Sequence, residues 1–296
     1  MRANTKIKNL ITVSGAVLIL ALAGSISYAD WKNNNDIWTA ESNLAVSQII
    51  QNEPETNPPG SNIADLQNQP GIPVLMYHHV GPLPTHPDRI RKDLTVSVAD
   101  FTAQMDYLKA NGFKTVTTQQ LYDWTKGRFV MPDKPIVLTF DDGYTDTFNN
   151  AVPVLASRGM SGVFGIITEF PGLPDYASWD QIKAAQQAGM EIVPHTRTHI
   201  DLKNKHYTHQ DRISQIQGSF DDIKSHLGTT PVAFIFPYGT YNSDALQILK
   251  DSPAKIAFTT HFGLFSMKND LLLEPRVRVH GVEDLARFKS TLFSAK

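Results

Sequence analysis

The sequence predicts an α/β protein whose parallel strands close, or nearly close, into a barrel. Three observations carry this. About eight short β-like runs recur along the chain, helix-like segments lie between them, and polar side chains suited to chemistry stand directly behind several of the runs. The runs are IPVLMYHHV, KTVTT, PIVLTF, GVFGIIT, MEIV, VAFIFPY, KIAFTT and PRVRVH, each short and rich in β-branched or aromatic residues.

The helix signals follow in order. Ser97 precedes Phe101, Met105 and Leu108 at helical spacing, and Gly112 marks the stop. TDTFNNAVPVLA follows Asp141-Asp142-Gly143, with Asp141, Asp142 and Asp146 as competing caps. Ser178 stands three residues before Gln181, a capping-box pattern ahead of IKAAQQAG. The clearest helix runs from about Thr208 to Leu227, where Ile213, Ile216, Phe220, Ile223 and Leu227 recur at steps of three and four and predict core packing.

Composition narrows the function. Of 296 residues 41% are hydrophobic and 19% charged, which suits a globular protein with one large core. A net charge of -2 gives no basic field, so nucleic acid is not an expected partner. The absence of cysteine excludes disulfides, thiolate ligands and a cysteine nucleophile.

The beginning of the chain reads differently. Arg2, Lys6 and Lys8 precede the apolar run of residues 10–29, and Ser27-Tyr28-Ala29 offers small residues where a signal peptidase reads. Residues 1–29 are thus expected to be a signal peptide or an N-terminal membrane anchor, making the protein secreted or cell-surface. Residues 30–70 are expected to be a linker with one short amphipathic helix, since NEPETNPPGSNIADLQNQP carries four prolines. The folded domain is placed at residues 71–296.

In such barrels the carboxyl ends of the strands form the reactive face. PIVLTF is followed there by Asp141 and Asp142, MEIV by His195 and His199, VAFIF by Pro237 and Tyr238, and PRVRV by His280. Two adjacent carboxylates behind an apolar strand carry a desolvation cost that a divalent cation would offset. His195 and His199, at i and i+4, share a face if the segment winds into a helical turn. Two imidazoles and one carboxylate, Asp142, make an open three-ligand site of the kind found in hydrolytic zinc centres. His78 ends the first strand and lines the same mouth, or is a hydrogen-bonded structural histidine; His79 points the other way if the strand continues. Trp179 is either a sugar-stacking wall or a packing residue.

TFDDGY, HTRTH, the PY of FPYG and the opening IPVLMYHHV together resemble the polysaccharide deacetylases of carbohydrate esterase family four, over residues 72–289. The subgroup resembled is the secreted poly-N-acetylglucosamine deacetylases. The resemblance implies a distorted (β/α) barrel of seven strands. It also implies one divalent ion, zinc with cobalt or nickel as alternatives, on Asp142, His195 and His199. Asp141 would be the general base, and Tyr238, behind Pro237, would offer its backbone N–H to the oxyanion. Thr196 and Thr198 would brace the histidine loop.

Two departures stand out. Phe236 occupies the place of the family's base-orienting arginine, for which Arg276 is the candidate replacement, and no tryptophan follows Trp179. His280 is assigned as the acid that protonates the departing amine. The expected reaction is metal-dependent hydrolysis of N-acetyl groups from an extracellular N-acetylglucosamine polymer, by a monomer that meets the membrane only through an uncleaved N-terminus. Peptidoglycan or chitin are further substrates of this type. The competing readings are an O-acetyl esterase on xylan-like glycans and a non-catalytic carbohydrate-binding protein.

Overall fold

The computed structural model describes residues 69–294. The N-terminal signal or anchor, and all but the last two residues of the linker, lie outside the described residues. Among the described residues no helix is long and apolar enough to cross a membrane.

Among the described residues ten strands form: β1 (Val74–Tyr77), β2 (His79–Val80), β3 (Thr95–Val96), β4 (Lys114–Thr115), β5 (Pro135–Phe140), β6 (Val163–Ile166), β7 (Glu191–Pro194), β8 (Ala233–Ile235), β9 (Ile256–Phe262) and β10 (Glu274–Arg278). Seven run side by side in the order β7-β6-β5-β1-β10-β9-β8, every pair parallel. Each of the eight apolar runs of the sequence supplies one strand of this sheet. The eighth, β4, pairs with Pro135 and Ile136 at the start of β5, whereas β6 pairs with its end at Thr139 and Phe140. The two share one edge of β5, which leaves a nearly closed barrel of seven strands. The edge strands β7 and β8 are linked above the last register pair by a hydrogen bond from His195 Nδ1 to Ile235 O, 2.8 Å.

Alternation along each strand decides which side chains enter the barrel. Val74, Val137, Val163, Val193, Ala233, Ile235, Ile256 and Phe258 form one buried cluster, drawn from alternate positions of six strands, and this is the interior. Their neighbours Leu75, Tyr77, Leu138, Phe140, Phe164, Ile192 and Val277 pack outward under helices. Continuing the inward register toward the carboxyl ends gives His78 from β1, Thr139 and Asp141 from β5, His195 from β7, and Arg276 and Arg278 from β10.

The helices begin where their caps predict. Ser97, Thr117, Ser178 and Thr208 each accept a hydrogen bond from the third helical backbone N–H, the last three as full capping boxes. Helix His209–Leu227 ends on left-handed Gly228 and buries Ile216, Phe220 and Ile223, as its spacing predicts. Helix Thr145–Ala156 corrects an expectation. Its N-cap is Tyr144 and makes no side-chain cap bond; none of Asp141, Asp142 or Asp146 fills that role. Asp146 is instead bonded to His79 Nδ1 at 3.0 Å and to Arg91 at 3.1 Å. His79 points away from the mouth, buried and stacked on Tyr144. Trp179 packs flat against His226, with ring centroids 4.1 Å apart.

Candidate active site

Strand β5 delivers Asp141 in register, its N–H still bonded to Tyr77 O at 2.9 Å. Ordinary alternation would send Asp142 to the opposite face. Asp142 and Gly143 instead both take left-handed backbone, with φ of 75° and 84°, and the chain turns so that both carboxylates enter one site. A Cβ on Gly143 would meet Ile166 at 3.3 Å, so the turn is tight as well as left-handed.

Asp142, His195 and His199 converge, their candidate ligand atoms all within 4.8 Å of one another. The Nε2 atoms of both histidines lie 3.3 Å from Asp142 Oδ1. The two histidines approach without a helical turn between them. Residues 195–199 form an irregular loop in which Thr196 and His199 have φ of 64° and 58°. Thr196 Oγ1 accepts from His199 N at 3.0 Å, and Thr198 Oγ1 accepts from Gln215 Nε2 at 2.9 Å. Both threonines brace the loop.

The donor set fits a cation. His195 Nδ1 is turned to the Ile235 carbonyl, which leaves its Nε2 facing Asp142 as the ring atom available to an ion. Three protein ligands with N and O donors leave further positions open, as hydrolytic zinc sites do. Burial pushes the Asp142 carboxyl up, but hydrogen bonds from His195 and His199 outweigh it and hold the group well below the usual carboxylate range.

Asp141 is clamped by an arginine. Arg276 NH1 and NH2 reach its two oxygens at 2.7 Å each, in the bidentate geometry of a guanidinium on a carboxylate. The same guanidinium bonds Thr139 Oγ1 and Thr259 O, both at 2.9 Å. Thr259 lies in an irregular stretch of β9, where four residues oppose two of β10, and this frees its carbonyl from the ladder. Burial raises the Asp141 carboxyl while Arg276 lowers it, and the net shift is downward. The arginine thus comes from β10, the position suggested by EPRVRVH, in place of the residue before Pro237.

His78 and His280 separate clearly. His78 lies within electrostatic reach of Asp141, Asp142, Arg276 and Arg278. Its Nδ1 is buried with no hydrogen-bond partner among the described residues. Burial lowers its pKa more than the two aspartates raise it. His280 sits further out with its side chain 40% exposed, and its Nδ1 bonds Asp93 at 2.7 Å. Arg278 joins the same Asp93 at 2.9 Å. The geometry therefore puts His78, not His280, next to the carboxylate pair.

Tyr238, with φ of 58°, lies in a short 3-10 turn whose first residue is the buried Pro237. Its ring is 58% exposed and rests 4.6 Å from that of His199. A second aromatic group has less signal in the sequence. Tyr144 stacks on Tyr176 at 5.2 Å, and Phe170 meets Tyr176 edge-on at 4.9 Å. Burial first and then Asp142 raise the phenols of Tyr144, Tyr176 and Tyr238, so all three surround that carboxylate. Tyr144 lies in the motif TFDDGY and Tyr238 in FPYG, whereas Tyr176 belongs to the loop after β6, whose length and Gly-Pro content suggest no role.

Comparison with known proteins agrees with this geometry. The sequence profile described as Polysaccharide deacetylase matches residues 130–257, a span that contains Asp141, Asp142, His195, His199 and Tyr238. YxkH of Bacillus subtilis (strain 168), a protein named for the same family, is 30% identical over 211 residues, covering 70% of this chain and 71% of its own. A poly-beta-1,6-N-acetyl-D-glucosamine N-deacetylase of Escherichia coli O157:H7 is 21% identical over 84% of this chain, which spans only 43% of that protein. Among solved structures, the Streptococcus pyogenes deacetylase PplD in complex with acetate superposes with a TM-score of 0.69 at 26% identity, covering 75% of this chain and 98% of that one. By motif order, barrel and similarity together, the chain belongs to the polysaccharide deacetylase family.

Proposed function

We propose that this protein hydrolyses N-acetyl groups from an N-acetylglucosamine-containing polysaccharide, with poly-N-acetylglucosamine the favoured polymer and a divalent cation as cofactor. The observation that carries the reading is the meeting of Asp142, His195 and His199 beside an Asp141 held by Arg276. Asp142, His195 and His199 would hold the ion, and zinc, cobalt and nickel all suit that donor set. When bound, such an ion supplies Lewis acidity toward water and toward a carbonyl oxygen.

The chain's own residues account for the proton transfers. Asp141, ionised and oriented by Arg276, accepts a proton from the attacking water at a carboxylate oxygen. The backbone N–H of Tyr238, presented by the turn at Pro237, donates to the oxyanion that develops on the acetamide carbonyl. His78, inward-facing beside the carboxylates, relays to the departing amine nitrogen the proton that Asp141 takes from water, the role first assigned to His280. Tyr144, Tyr176 and Tyr238 offer aromatic surface and hydroxyls to a pyranose ring, which suits a neutral sugar polymer. The cationic leader and apolar run of residues 10–29 support export to the side of the membrane where such polymers lie.

The test is mass spectrometry of defined β-1,4 and β-1,6 N-acetylglucosamine oligomers incubated with the full chain, with and without a chelator. Loss of acetyl groups one at a time, abolished by the chelator and preferred on β-1,6 oligomers, is the expected result. Acetate release from acetylxylan, with the amino-sugar oligomers untouched, would replace amide hydrolysis by ester hydrolysis.

A further inference from the structure

The two histidines of the site are held by different means. His195 continues β7 and is fixed through Nδ1 by Ile235 O. His199 follows a loop that contains left-handed Thr196 and is itself left-handed. A non-glycine residue in this region is strained, and a β-branched one such as threonine is a clear outlier. Such backbone persists only where its surroundings over-determine it.

One face of helix His209–Leu227 supplies those surroundings. Gln215 Oε1 accepts from both Arg197 N, 3.1 Å, and Thr198 N, 2.9 Å, while its Nε2 donates to Thr198 Oγ1. Seven residues further along, Asp222 takes the Arg197 guanidinium in two bonds of 2.8 and 2.9 Å. Asp222 also accepts from Thr168 Oγ1 at 2.6 Å. Between them in the helix, a Cβ on Gly218 would come within 3.0 Å of Arg197 Cδ, so the arginine stem lies across the glycine. Positions 215, 218 and 222 are spaced by three and four and share one helix face. From the other side, Thr168 N and Glu169 N donate to Thr196 O and Arg197 O, each at 3.0 Å.

We infer that Gln215 and Asp222 are positioning residues for the metal centre, acting through the 196–198 backbone to hold His199 toward Asp142. The inference rests on the proposed cation site. Gln215→Leu removes three hydrogen bonds and leaves two loop N–H groups without their acceptor, so the loop is free to relax and His199 to swing away. Loss of a partner that orients a ligand weakens metal binding by about 10–100-fold.

The experiment titrates the full chain with cobalt(II), following its visible absorption, for wild type, Gln215→Leu, Gln215→Glu, His199→Ala and the double variant Gln215→Leu/His199→Ala. Thermal melts of the metal-free proteins run alongside. Gln215→Leu is expected to bind cobalt at least tenfold more weakly. Gln215→Glu, which keeps the acceptor oxygens, restores most of the affinity. The double variant binds no more weakly than His199→Ala alone, because the clamp acts only through His199. A general packing role would add its loss to that of His199→Ala, and this outcome would overturn the inference, as would wild-type affinity in Gln215→Leu. Should Gln215→Leu not fold, Asp222→Asn takes its place in the same cycle under the same criteria. Wild-type protein that binds no cobalt would instead overturn the cation site itself.

Discussion

Replacing Arg276 with methionine probes the ion pair on which the proposed base depends. The guanidinium is fully buried, spans both oxygens of Asp141 at 2.7 Å, and also serves Thr139 Oγ1 and Thr259 O. Methionine fills part of the volume and returns none of those donors, so Asp141 becomes a buried charge without its main counter-ion. Breaking a buried pair from one side costs about 3–5 kcal/mol. For a domain of this size each kcal/mol lowers Tm by roughly 2–4 °C, so a loss of about 4 kcal/mol lowers Tm by roughly 8–16 °C. The pH dependence fixes the sign independently. In the wild type the folded carboxyl lies below its ordinary range, so its stabilisation is present above the unfolded pKa of about 4 and is lost as pH falls through the lower folded value. In Arg276→Met burial acts without the guanidinium to oppose it, and the folded pKa moves up. The deficit is then full near neutral pH and shrinks as pH falls toward about 4, where the carboxyl is neutral in the folded variant and about half-protonated in its unfolded chain. Circular-dichroism melts in chelator at about pH 7 and about pH 4 measure both effects. A neutral-pH Tm within about 2 °C of wild type, or a deficit that grows on acidification, refutes the reasoning.

The remaining expectations are briefer. A divalent cation at 100 times its Kd should stabilise the fold by about 2.7 kcal/mol, seen as a rise in Tm that His195→Ala and His199→Ala both abolish. His78→Asn should lower kcat by about 10²–10⁴, and His280→Asn should leave it within a few-fold; the opposite ranking would return the acid role to His280. Tyr176→Ala should raise KM for amino-sugar oligomers by about 2–10-fold with kcat little changed, and a loss confined to kcat would argue against a sugar-stacking role. Burial pushes the Glu274 carboxyl up to about 7, so the fold should lose about 3 kcal/mol as pH rises from about 4.5 to that value, and Glu274→Gln should flatten the profile in urea titrations.

How much of this was legible depends on whether a residue sits in strand register or on left-handed backbone. Each apolar run of the sequence became a strand because β-branched and aromatic residues in short bounded segments fit a buried parallel sheet. What length and pattern could not give was strand rank: β4 and β6 share one edge of β5, which makes the barrel path seven rather than eight. The ribbon of β2 and β3, and helix Arg89–Leu94, gave no signal at all. The strands are two residues each, and the helix buries none of its residues, so neither prints a period.

The same division runs through the site. His78, Asp141 and His195 are one or two steps beyond inward-facing interior positions and Arg276 precedes outward-facing Val277, so alternation alone aims all four at the barrel mouth. His280 keeps that parity too, but β10 has ended by Arg278, and beyond a strand's end parity no longer directs a side chain; Asp93 captures the ring instead. Asp142, Thr196, His199 and Tyr238 all have positive φ, a conformation that no hydrophobic pattern encodes for non-glycine residues. These positions were recognisable only as motifs, and His195 and His199 meet without a helical turn for that reason. What braces the loop of Thr196 and His199 lies elsewhere in the sequence, in Gln215 and Asp222. Those two polar residues occupy a helix whose apolar period gives its packing stripe and nothing about its other faces. A site that combines register-borne bases with loop-borne ligands is therefore half readable from alternation, and its other half depends on hydrogen bonds between segments that no local pattern connects.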